Sequence, residues 1–162
     1  MFDLDRFRQA QNTADAGFAA ALGELEAGRK TGHWIWYVFP QLAGLGRSPT
    51  AIYYGLDGVE EAAAFLRDPV LGERLLEAAA VVRGHLSGGG ARRLEWLMGS
   101  RIDALKLVSS MTLFAHVAKT LCGADPEPRF AVMAGHAAAI LDAAAAQGYD
   151  GCSYTREHLR SG

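Results

Sequence analysis

The sequence predicts an all-α fold: a single compact domain over residues 1–162, built as an irregular orthogonal array of about seven to nine helices. Three observations carry that reading. Apolar residues recur at helical spacing through most of the chain, and caps and breakers divide those stretches into segments. One run alone, residues 32–41, favours strands by residue type, and no partner strand follows it. No heptad pattern persists, which excludes a coiled coil.

In chain order, Asp3 or Asp5 is placed to cap a short first helix with Leu4 and Phe7 on its buried side. Thr13 is expected to cap a second helix over residues 14–27, where Phe18, Ala21, Leu22 and Leu25 form one apolar stripe. Gly28 ends it, and Arg29 and Lys30 stand where cations suit a helix C-terminus. The aromatic run His33-Trp34-Ile35-Trp36-Tyr37-Val38-Phe39 is apolar on both faces, so a buried short helix ending before Pro40 is the simpler reading. Gly44 and Gly46 make a turn, and Ser48-Pro49 opens a helix with serine as cap and proline at the first position. That helix carries Ile52, Tyr53 and Tyr54 and stops at Gly55.

Asp57 is expected to begin a helix over 59–66, and Asp68-Pro69 opens the next, with Leu71, Leu75, Ala78, Ala79 and Val82 as its core stripe. Residues 85–90 read as a glycine-rich loop. Leu94, Leu97 and Met98 suggest a short helix before Gly99. The longest apolar helical candidate runs 102–121 and ends at Gly123; Asp125-Pro126-Glu127-Pro128 breaks the chain before a last, alanine-rich helix over 130–147. The tail, 149–162, has no periodic signal, and neither a repeat nor a second domain stands out.

Composition narrows the function classes. A chain of 162 residues suits one domain and is long enough to bury roughly 70% of its unfolded surface. Charged residues are 21% and apolar residues 50%, far from the composition of a disordered chain. Sixteen Lys and Arg against eighteen Asp and Glu leave a formal charge of -2 with no basic run, so no duplex nucleic acid partner is expected; a local anion site stays open. Cys122 and Cys152 form no CxxC, the N-terminus is charged from its third residue, and the run 137–146 is broken by Asp142 and too short for a bilayer. These features lead us to expect a cytoplasmic protein without a membrane partner.

Two constellations offer chemistry. In the first, Trp34 and Trp36 are available to stack on a planar ligand, and His33 and Gln41 offer hydrogen bonds. Arg47 and the Ser48 helix start present a guanidinium and free backbone N–H groups, which favour phosphate or carboxylate. The plainer alternative is that the aromatics pack a core and His33 satisfies a buried carbonyl. The GLG turn lacks the P-loop spacing. In the second, Asp103, Lys106 and Ser110 share one helix face, continued by Phe114, so the charged pair is expected to be semi-buried. Either Asp103 serves as general acid/base or electrostatic stabiliser, with Lys106, Ser109 and Ser110 holding anionic oxygens, or the pair is a structural bridge and the hydroxyls bond back to the preceding turn. The remaining histidines, His85, His116, His136 and His158, show no metal spacing, so no metal or cofactor is expected.

With those residues in view, the chain resembles the domain-of-unknown-function family numbered 1810, whose members are often auto-named calpastatin. The likeness rests on FRQAQ at 7–11, Lys30, HWIWYVFPQL at 33–42, GLGRS at 44–48, DPVLGERL at 68–75 and DALKLVSSMTLF at 103–114. It implies a compact, mostly helical bacterial-type domain without an established reaction. The calpastatin label does not suit a globular chain, since a calpain inhibitor should read as extended and polar. The family looks like a distant relative of the NADAR N-glycosidases, helical proteins that act on ADP-ribose-type or phosphoribosyl compounds, although their catalytic carboxylates do not align residue by residue here.

Two functions follow as expectations. The first is a pocket for a small anionic, phosphorylated, nucleotide-like ligand, with N-glycoside hydrolysis as the enzyme reading. There Trp34, Trp36 or Tyr53 stacks the base, Arg47 and Ser48 hold phosphate, and Asp103, Lys106 and His33 serve catalysis. The second is a non-enzymatic protein-interaction module with an exposed aromatic anchor.

Overall fold

In the computed structural model, which describes residues 2–88 and 91–161, the chain forms ten helices, and its only strand-like pairing among those residues is an isolated bridge between Leu42 and Leu56. They are α1 (Asp5–Gln11), α2 (Phe18–Glu26), α3 (Ile35–Val38), α4 (Pro49–Tyr54), α5 (Val59–Arg67), α6 (Pro69–Leu86), α7 (Leu94–Met98), α8 (Arg101–Ala124), α9 (Pro128–Ala146) and α10 (Ser153–Ser161). The all-α class stands. The aromatic run is a single helical turn, as its two-sided apolar pattern required, and it ends before Pro40.

The starts that followed the cap rules hold. Ser48 Oγ accepts from the Ala51 N–H at 3.1 Å ahead of α4, and Asp68 accepts from Val70 and Leu71 ahead of α6. Elsewhere the expected cap lost to another use of the same side chain. Leu4, not an aspartate, occupies the cap of α1, while Asp5 sits in its first turn. Thr13 donates to the Ala10 carbonyl, so it closes α1's exit, and α2 starts only after Gly17. Gly58 rather than Asp57 precedes α5.

Helix α6 continues through His85 and Leu86, so the expected loop begins later; Gly89 and Gly90 lie outside the described residues. Helix α10 was not legible in the tail, because only Thr155 on it is buried and Leu159 half-buried.

One apolar cluster fills the interior, drawing on Phe7, Trp34, Phe39, Phe65, Phe114 and Phe130 from five different segments. Helices α8 and α9 pack most extensively on each other, joined by the three-residue breaker 125–127, and α6 lies against α9. Both α8 and α9 are long and apolar enough to cross a membrane, each with mean hydropathy 1.2, which the sequence reading of residues 137–146 alone did not register. Helix α8 spends most of its apolar face on the core of this fold.

Candidate functional site

The aromatic run divides by ring. Trp34 is fully buried, and its indole N–H donates to Glu24 Oε1 at 3.0 Å. The same oxygen accepts from the N–H groups of Thr31 at 2.7 Å and Gly32 at 2.8 Å, which fixes the entry to α3. Trp34 therefore offers no face to a ligand, and its expected stacking role falls to its neighbour. Trp36 is half-buried, with the Lys106 ammonium 4.6 Å from its ring centroid; its indole N–H is buried without a partner among the described residues. A cation over an indole face is attracted by the ring's quadrupole.

Backbone pairing brings α4 over α3. Ala43 N–H donates to the Leu56 carbonyl at 2.8 Å, and Leu56 N–H to the Gln41 carbonyl at 2.9 Å, closing the 44–55 excursion into a loop that returns α4. Arg6 clamps the far end of α4 by donating to the carbonyls of Tyr53 at 2.9 Å and Gly55 at 3.2 Å. Glu61, buried, holds that guanidinium at 3.2 Å.

Two adjoining spaces result, sharing Trp36 and Tyr54. One is an open groove of about 620 Å³ along His33, Trp36, Tyr53 and Tyr54. The other is a recess of about 10 Å³, room for one water molecule, reached by Gln41 and Lys106 and walled by Ile35 and Phe39. The groove is within the size range of small-molecule sites.

Behind the recess lies a charged triad. Asp103 Oδ2 meets Lys30 Nζ at 2.6 Å, and Oδ1 meets Lys106 Nζ at 3.5 Å. Asp103 itself follows the Ser100 cap of α8, whose hydroxyl accepts the Asp103 N–H at 3.1 Å. Lys30 is only 5% exposed, its ammonium 5.0 Å from the Trp34 ring centroid. The sequence placed Lys30 at the solvated end of α2. In the fold, its N–H donates to the Leu97 carbonyl at 2.7 Å, which turns the side chain inward, and Arg29 alone faces out over Trp96.

The structure thus joins the two constellations through Lys106, while Arg47 and Ser48 stand outside. Arg47 is exposed and lines neither space, and the Ser48 hydroxyl is occupied as a cap. The serines follow the back-bonding alternative in part. Ser109 Oγ donates to the Leu105 carbonyl at 3.1 Å, as Thr112 does to Val108 at 2.7 Å, whereas the fully buried Ser110 hydroxyl has no partner among the described residues. Ser109 also faces the half-buried Cys152 thiol. Burial opposes that thiol's ionisation, but hydrogen bonds from Ser109, Thr155 and backbone N–H groups outweigh it and hold the thiol below its ordinary range. Neither serine lines the groove or its recess.

Tyr54 and Lys30 are the site residues that sequence reasoning passed over. Helical spacing does not say which of the adjacent Tyr53 and Tyr54 faces inward, and no periodic signal marks a lysine turned in by a loop.

These features define a class: an all-helical protein with an aromatic groove set over a lysine–carboxylate–lysine triad. The chain belongs to the family described as protein of unknown function DUF1810, which matches residues 1–125 and so spans α1 to α8. It is similar to a solved structure, the conserved hypothetical protein Rv1873 from Mycobacterium tuberculosis, with 40% identity and a TM-score of 0.66 over 91% of this chain and 98% of that one. No curated protein matches the chain.

Proposed function

We propose that the groove between α3, α4 and α8 binds a small, planar, anionic ligand of the nucleotide or ADP-ribose type, in a cytoplasmic protein. The observation that carries this reading is the Lys106 ammonium over Trp36, backed by a triad of two ammonium groups and one carboxylate. One positive charge in that triad is left without a counter-charge (two cations less one anion) at the recess beside an aromatic floor. An anionic group at the mouth of the recess would meet Lys106 and the Gln41 amide, while a base lies along Trp36, Tyr53 and Tyr54. Asp103 then serves as an electrostatic positioner of Lys106, and His33 at the groove edge is the nearest candidate for proton transfer in N-glycoside hydrolysis.

The test is thermal unfolding with AMP and ADP-ribose, since a ligand specific to the folded state raises the melting temperature. Wild type should shift upward and Lys106→Met should not. An equal shift in both, or none in either, sinks the proposal. Base release followed by chromatography, lost in His33→Ala with binding kept, would add the hydrolytic step. The exposed Ile52 and Tyr53 on α4 favour the second reading, a protein-interaction module. Silence toward every small ligand would move that reading ahead.

A further inference from the structure

We infer that the phosphate meeting Lys106 carries a single negative charge, as in a phosphodiester or a pyrophosphate bridge, and not the double charge of a mononucleotide's terminal phosphate; this rests on the groove reading above. The charges around the recess set that limit. Among the described residues, Lys106 is the only lysine or arginine lining the groove or the recess. Lys30 does not add to it, because its ammonium is buried, donates to the Gly32 carbonyl and holds Asp103 Oδ2 at 2.6 Å. Lys30 and Asp103 thus form a closed pair, which leaves Lys106 the looser partner of that carboxylate at 3.5 Å.

A second negative charge on the ligand finds no cation of its own. Arg47 lies outside both spaces. The start of α4 supplies no cradle of N–H groups: Pro49 has none, and Ala51 gives its own to Ser48 Oγ at 3.1 Å. The Asp103 carboxylate behind Lys106 repels any charge beyond the one that the ammonium balances.

The recess adds a cost. It has room for one water molecule between apolar walls at Ile35 and Phe39, so a phosphate at its mouth sheds hydration on that side. Attraction to one ammonium grows in proportion to the ligand's charge, whereas the cost of taking that charge out of water grows as its square. The balance favours the singly charged group.

Adenosine, AMP and AMP methyl ester share one base and differ in charge, and calorimetric titration gives their relative affinities. At about pH 7.5 AMP is close to doubly charged, since its second ionisation lies at about 6, and the ester carries one charge. There the ester should bind about threefold to tenfold tighter than AMP. At about pH 5, where AMP also carries one charge, the ratio should fall to about one. Lys106→Met should leave the ester no tighter than adenosine. Asp103→Asn, which leaves two cations and no anion beside the recess, should turn the preference toward AMP at the higher pH. AMP binding at least as tightly as the ester at the higher pH, with both weakened in Lys106→Met, overturns the single charge and leaves the groove reading standing. A ratio that persists at the lower pH also overturns it, because the methyl group and not the charge then sets the preference. No binding of any of the three overturns both.

Discussion

Glu24 holds the entry to the aromatic turn with a single carboxylate oxygen. Burial works against its ionisation, but the N–H groups of Gly32 and Thr31 and the Trp34 indole outweigh that and keep its pKa below the ordinary value of 4.5. A depressed carboxylate binds fewer protons folded than unfolded, so its stabilisation is full above that value and is lost as pH falls through the folded one. Glu24→Gln should therefore be less stable at neutral pH and lose less on acidification from about pH 5 to about pH 3. Parallel urea curves for the two proteins across that range would refute the assignment. Ser110 makes the opposite case: a buried hydroxyl without a partner is a cost. Ser110→Ala should leave stability unchanged or raise it by about 1 kcal/mol in urea denaturation, and a clear loss would mean that the hydroxyl has a partner.

Short elements here are set by what they touch more than by their own propensity. Helix α4 has six residues, too few to persist alone, and no fully buried one. It is held by its Ser48 cap, the Leu42–Leu56 pairing and the Arg6 clamp. Helix α10 carries nearly no apolar signal, yet Thr155 is buried, the Cys152 N–H donates to Thr112 on α8 at 3.3 Å, and Tyr154 Oη donates to the Ala43 carbonyl at 3.1 Å. The link between α7 and α8 shows how a loop sets the site. Gly99 has φ +83 and would bring a Cβ within 2.6 Å of the Lys30 carbonyl. Gly99→Ala should cost more than about 1 kcal/mol and, by displacing Lys30, weaken whatever the Lys106 recess binds. Calorimetric unfolding together with the AMP titration checks both.

At the scale of the molecule, one apolar cluster joins segments far apart in the chain, with Phe114 of α8 against Phe65 of α5 at 5.8 Å between ring centroids. Phe114→Ala should lose about 3–5 kcal/mol and lower the urea midpoint of a single cooperative transition; separate transitions for the two ends of the chain would contradict one shared core. The all-α class, nine of the ten helices and the Ser48 and Asp68 starts were legible locally, in periodicity and in caps whose partners lie three residues on or nearer. The same local signals marked Trp36, His33, Gln41, Asp103 and Lys106 as candidates. Which of them meet was decided only by tertiary structure. Whether Trp34 or Trp36 faces out depends on Glu24 taking one indole, and Lys30 reaches Asp103 because Leu97 and Gly99 fix its backbone. Arg47 stays outside because α4 is returned by a bridge at Leu56. Each of these contacts joins residues seven or more positions apart, beyond the reach of helical spacing or a cap, so only the packed chain could select among them.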